Sequence, residues 1–269
     1  MIQRIKKAIG YVLLILALLS AVSFLVSYRL NFVRIETGSR GRSEAVELLL
    51  ARRDKEALAM FERILAENPQ DIEALWGKGE VYRRDYKYKE AQALFNRILN
   101  EDPYHAPSLL SLAYIKYKDD LFRDAIRLVN RALAVKGLDR YNRALGFMMM
   151  GTINSRRSQK GWILSKLAYG TQIKGYFLKA RNLAPELPEV RLGLGTFYLL
   201  APEVIGGDVD KAIEELSAAL KSAPNFATAS IRLAQAYQKK GDLKNYEFYM
   251  QKARQIDPGT ENLEELRLK

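Results

Sequence analysis

The sequence predicts an all-α chain, a solenoid of about six stacked helical hairpins preceded by one transmembrane helix. Three observations carry this reading. Residue types return every 34 positions: Ala57, Ala91 and Ala125, then Phe61, Phe95 and Val129, then Ile64, Ile98 and Ala132. Small residues upstream, Ala45, Gly79 and Ala113, keep the same step, as do Pro69 and Pro103. Ahead of them, Ala8 to Tyr28 run 21 residues without a charge. A fixed period of this length marks one helical hairpin repeated, each burying its free apolar face on the next. Such stacks hold partners.

Bulk composition narrows the chemistry. The chain has 269 residues, 48% of them hydrophobic, enough for a substantial core. It has no cysteine, which excludes disulfides, thiol nucleophiles, thiolate metal sites and a lipid-modified N-terminal cysteine. The net charge of +12 favours acidic partners, anionic lipid surfaces or nucleic acid. Lys and Arg are spread along the chain, and nucleic acid is disfavoured.

Taken in order, residues 1–28 form a basic tail and an apolar segment. As a helix, about 21 residues span roughly 30 Å, enough for a bilayer core. Tyr11 and Tyr28 sit near the ends, where aromatic rings favour the interface. A cleaved signal peptide is the competing reading, with Ala21-Val22-Ser23 as a small-x-small site. The run exceeds an ordinary signal core and continues past that site, so a retained single-pass anchor is favoured. Arg4, Lys6 and Lys7 precede the span and Arg29, Arg34, Arg40 and Arg42 follow it, nearly a tie for orientation. A short tail before a large domain places that domain on the exported, periplasmic side. Residues 29–37 read as a linker, and Gly38-Ser39-Arg40-Gly41 breaks the pattern before the first repeat.

The repeats themselves occupy 38–260, with units at about 38–71, 72–105, 106–139, 140–187, 188–226 and 227–260. The second is clearest, with Leu75, Gly79, Tyr82, Ala91, Phe95, Ile98 and Pro103. Ala132, Ala180, Ala219 and Ala253 mark the later small position; their spacing gives the fourth and fifth units insertions of 14 and 5 residues. Gly79 and Ala91 allow two helices to approach, while Phe95 and Tyr82 fill the remaining space. Asn68-Pro69, Asp102-Pro103 and Asp257-Pro258 read as joints, since Pro pushes its predecessor out of the helical region and Asn or Asp can cap. The tail 261–269, with Leu263, Leu266 and Leu268, suits a helix capping the last repeat.

This pattern resembles the tetratricopeptide repeat, a helix–turn–helix unit with small, aromatic and proline positions where these residues stand. The resemblance implies a right-handed superhelix of about twelve helices whose concave face is lined by the first helix of each unit. It places on that face Trp76, Glu80, Arg83 and Arg84 from the second unit, and Leu110, Tyr114, Tyr117 and Lys118 from the third. Met148, Thr152 and Arg156 come from the fourth, and Ile231, Gln235, Gln238 and Lys239 from the last. Aromatic anchors ringed by Arg and Lys suit a peptide with apolar and acidic groups. For any one aromatic, simple packing between helices competes with this role. The pairs Arg42/Val46, Trp76/Glu80, Leu110/Tyr114 and Met148/Thr152 lack the Lys and Asn with which chaperone-binding members grip a C-terminal carboxylate.

Two insertions remain. Residues 155–175, with Arg156, Arg157, Lys160, Trp162, Lys166, Tyr169 and Lys174, read as a longer hairpin packed on the solenoid or as a basic face for anionic lipid. In the turn from Leu200 to Asp208, Gly206 and Gly207 allow positive φ and Asp208 can cap. The turn is similar to one in T-component proteins of some tripartite transporters. No catalytic residues, metal site or cofactor are expected: the one histidine, His105, reads as a surface turn residue, and no Gly-x-Ser-x-Gly motif occurs. The reading is therefore a membrane-anchored scaffold or adaptor that holds a protein or peptide partner, in assembly or quality control of a membrane-associated complex. A secreted accessory of a transporter is one alternative; a basic surface binding anionic lipid or nucleic acid is another. Oligomeric state is not readable.

Overall fold

The computed structural model describes residues 41–160 and 163–258, without the side chains of 159–171. The apolar span at 8–28, the linker at 29–37 and the tail at 261–269 lie outside the described residues. Twelve helices and no strand are present among them. They pair as six hairpins: α1 (41–50) with α2 (Asp54–Glu67), α3 (Ile72–Arg84) with α4 (Tyr88–Glu101), and α5 (Ala106–Lys118) with α6 (Phe122–Leu133). Then come α7 (Arg140–Lys160) with α8 (Ile163–Leu183), α9 (Pro188–Leu200) with α10 (Val209–Ser222), and α11 (Ala227–Lys240) with α12 (Leu243–Ile256). The odd-numbered helices from α3 onward pack on one another as an inner layer; the even-numbered helices form the outer layer.

The 34-residue positions are the hairpin contacts. Ala57, Ala91, Ala125, Phe61, Phe95 and Val129 are fully buried. In α4 the buried side chains are Ala91, Phe95 and Ile98, a step of four and three that puts them on one helix face. Gly79 shows why that face fits its partner. A Cβ there would come within 2.5 Å of the Phe95 ring, closer than carbon atoms approach.

Helix ends follow from local chemistry. Asn68, Asp102 and Asp257 each precede Pro and leave the helical region at φ −135°, −126° and −143°. They end helices rather than start them: Asn68 and Asp102 accept hydrogen bonds from the N–H groups of Gln70 and Tyr104 within their own turns. The N-caps stand three residues later. Asp71 accepts from Ala74 N at 3.0 Å. His105 Nδ1 accepts from Ser108 N at 3.3 Å, so the histidine caps α5 and is half-buried rather than a plain surface residue.

Both insertions have a place. The 14 extra residues of the fourth unit lengthen α7 and α8 to 21 residues each, against 12–14 in the other complete helices. Neither is apolar enough to span a bilayer, and the same holds for every helix among the described residues. The five extra residues of the fifth unit widen the α9–α10 connection, which holds a short 3-10 turn, Glu203–Ile205, before α10. Gly206 there has φ +100°, and a Cβ on Gly207 would fall 1.8 Å from the Ala201 carbonyl oxygen. Asp208 caps α10 by accepting from Lys211 N.

Candidate partner-binding channel

The inner layer lines an open channel of about 1980 Å³. Its wall begins at the corner between α1 and α2, runs along α3, α5, α7 and α9, and ends on the first turns of α11 and the last turn of α12. The first hairpin reaches the fifth and sixth. Arg52, in the α1–α2 turn, meets Glu189 at the start of α9 at 2.6 Å, and its guanidinium lies 3.8 Å above the Phe226 ring at the N-cap of α11. Arg84 of α3 stands 3.9 Å from the same carboxylate. One hairpin on, the Tyr86 hydroxyl is 3.5 Å from Asp257. These contacts close the solenoid into a ring.

Arg52, Tyr86 and Asp120 share a further property. Each stands at a hairpin turn with φ near +60°, one repeat apart, and Gly241 takes positive φ at the last turn. A side chain in this region costs about 1 kcal/mol or more, which glycine avoids. Each of the three instead reaches a distant element: Arg52 to Glu189, Tyr86 to Asp257, and Asp120 to Arg156 at 3.1 Å.

The wall is an ordered polar and aromatic network. Trp76 Nε1 donates to Ser111 Oγ at 3.3 Å, and Ser111 donates to Glu80 Oε1 at 2.6 Å. Arg83 grips Glu80 through Nε and Nη2 at 2.9 and 2.7 Å and lies 4.4 Å over the Tyr114 ring. Burial pushes the Glu80 carboxyl up, but Arg83 and then Arg84 and Ser111 pull it further down, to about 2. Burial and the neighbouring Arg84 lower the Arg52 guanidinium to about 10 against the pull of Glu189. The Tyr114 and Tyr117 rings lie 6.0 Å apart, tilted at 49° to each other.

The structure brings together most residues singled out in the sequence. Trp76, Glu80, Arg83, Arg84, Leu110, Tyr114, Tyr117, Lys118, Met148, Thr152 and Arg156 all line the channel. Trp76 also packs between the first two hairpins, and Tyr114 against the third, so packing and lining coincide in these side chains. Ile231, Gln235, Gln238 and Lys239 lie elsewhere. Ile231 and Gln235 are buried, the first against Ala253 and the second accepting from Arg232 Nη1. Gln238 and Lys239 are exposed at the far end of α11, where Lys239 donates to the Leu199 carbonyl. The α1–α2 corner covers the start of α11, so its channel face is Phe226, Thr228 and Arg232 instead. Arg52, Glu189, Phe226 and Arg232 had no signature in the repeat pattern; the one available signal was that Arg52 stands 34 residues before Tyr86. The basic side chains inside 159–171 lie outside the described residues. Among the described residues, no group of three or more His, Asp or Glu is placed to hold a metal ion.

Fold and site define an all-helical repeat protein with a channel lined by its inner helices. The family model for the tetratricopeptide repeat matches residues 44–106 and 206–259, and with the fold it supports that family. The fold is similar to a thermophilic tetratricopeptide-repeat protein of Thermus thermophilus, with 22% identity over 72% of this chain and 95% of that one, and a TM-score of 0.58. It is similar to the Cut9–Hcn1 assembly of the APC/C, with 15% identity, 85% and 42% coverage and a TM-score of 0.56. It is also similar to PilW, a type IV pilus biogenesis factor, with 15% identity, 86% and 98% coverage and a TM-score of 0.50. A search of curated proteins finds no match. Proteins of this repeat class mediate protein–protein interactions.

Proposed function

We propose that this chain is a membrane-anchored scaffold whose channel seats an extended segment of a partner protein. In this reading residues 8–28 hold it in the bilayer and the solenoid stands on the exported side, serving assembly or quality control of a membrane-associated complex. One observation carries it: side chains from five successive inner helices converge on one channel, with aromatic rings fixed among arginines. Rigid aromatic and arginine side chains in a concave wall are what peptide anchors bind. The uncharged 21-residue run with tyrosines at its ends supports the anchor.

The test combines two readouts on the full chain recovered from native membranes. Intact mass gives the N-terminus, and capture gives the partner. An intact N-terminus with a stoichiometric partner that is lost when Trp76, Tyr114 and Tyr117 are replaced supports the proposal. A soluble chain beginning near Phe24, or capture unaffected by those replacements, would refute the anchor or the channel respectively.

A further inference from the structure

We infer that Arg232 is the specificity residue of the channel and seats an Asp or Glu side chain of the threaded peptide. The inference rests on the peptide-capture reading above. The other arginines deep in the wall have acid partners: Arg52 with Glu189 at 2.6 Å, Arg83 with Glu80 at 2.7 Å, Arg84 with Asp54 at 2.7 Å and Arg156 with Asp120 at 3.1 Å. Arg232 lines the same channel, and its Nη1 donates to Gln235 Oε1 at 2.9 Å. No carboxylate among the described residues pairs with it. Burial lowers its guanidinium to about 10, so it stays charged at neutral pH. A half-buried cation without an acid is a cost to the empty protein, and a carboxylate brought by an occupant removes that cost.

The surroundings fit that carboxylate. Arg156 of α7 lies 5.7 Å over the Tyr117 ring of α5, and Arg232 is within electrostatic reach of the same side chain. A carboxylate accepts several hydrogen bonds, and guanidinium and phenol groups supply them. Basic side chains outnumber acidic ones along the whole lining. Apolar side chains also line the channel, Trp76 of α3 and Leu110 of α5 with Leu192 and Phe197 of α9, and offer an occupant chain contacts beyond its carboxylate. That favours a side-chain carboxylate over a chain terminus.

The probe is a random library of about 12-residue peptides, displayed with blocked C-termini and selected on the full-length protein and on Arg232→Gln. Selected sequences are expected to carry Asp or Glu beside apolar residues. By fluorescence anisotropy, Arg232→Gln should weaken a selected peptide roughly 10- to 100-fold, the value of a charged hydrogen bond. Changing the peptide's acid to its amide should cost the wild type the same factor and the variant nothing more. Arg232→Lys, which keeps the charge, should retain part of the affinity and guards against a folding defect. Peptides that bind wild type and Arg232→Gln equally, or only with a free C-terminus, would overturn the assignment while leaving channel capture standing. A library from which nothing is selected would overturn channel capture itself.

Discussion

Replacing Glu189 by Gln should open the ring. The carboxylate serves Arg52 at 2.6 Å and Arg84 at 3.9 Å, and the Arg52 and Glu189 side chains keep only 12% and 22% of their surface. Removing one partner of a fully buried pair costs roughly 3–5 kcal/mol. Two features reduce that here. Arg52 keeps the Phe226 face, and Arg84 keeps Asp54 at 2.7 Å. We therefore expect a loss of about 2–3 kcal/mol, after allowing for residual solvent screening. Urea unfolding of wild type, Arg52→Met, Glu189→Gln and the double variant isolates the pair, and a coupling of about 1.5–2.5 kcal/mol should result. The chain has no cysteine, so spin labels on cysteines introduced at the exposed positions Lys55 and Gln255 report ring width directly. A longer, broader distance is expected in Glu189→Gln. Burial raises the Glu189 carboxyl, but Arg52 and Arg84 bring it below its ordinary value, so the latch holds at neutral pH and fails as the solution is acidified through that lowered value. Coupling under about 0.5 kcal/mol with an unchanged distance would refute the ring-closing role.

Other consequences follow from single contacts. Gly79→Ala gains helix propensity of up to about 1 kcal/mol, but its Cβ meets the fully buried Phe95 ring at 2.5 Å; overpacking of about 1–3 kcal/mol should win and lower the thermal midpoint. Phe95→Ala empties the same contact and should cost about 3–5 kcal/mol in urea unfolding. Burial holds His105 below its ordinary 6.5, against a weaker upward pull from Asp102; the unfolded chain takes up the proton first, so stability is complete above 6.5 and declines as pH falls. His105→Asn keeps a capping acceptor and should remove that part of the pH dependence in melts between about pH 7.5 and 5.5. Tyr86→Gly relieves a positive φ of 59° and should cost little or nothing in stability while loosening the contact to Asp257, read by the same pair of spin labels.

Much of the fold was legible because a repeat prints its contacts at fixed intervals. Ala91, Phe95 and Gly79 could be placed against one another from spacing alone, since the same requirement recurs in each hairpin. The insertions were visible as a displaced Ala180 and Ala219, though not that the first would divide between two helices. The channel face of α3, α5 and α7 was readable because those helices keep the family register. The face of α11 was not, because ring closure decides which of its residues look inward, and closure depends on Arg52, Glu189 and Phe226, which are far apart in sequence and obey no period. His105 as a cap was hidden for another reason: imidazole is an uncommon capping acceptor, and Asp102 nearby looked the better one.

Channel capture is tested most directly by a photocrosslinking amino acid placed at Leu200, which lines the channel and is 38% exposed, and separately at Leu243, 62% exposed on α12 outside it. In native membranes a discrete adduct is expected from Leu200 that disappears when Trp76, Tyr114 and Tyr117 are replaced, and none from Leu243. Adducts from Leu243 alone, unaffected by those replacements, would contradict channel capture and move the partner to the outer surface.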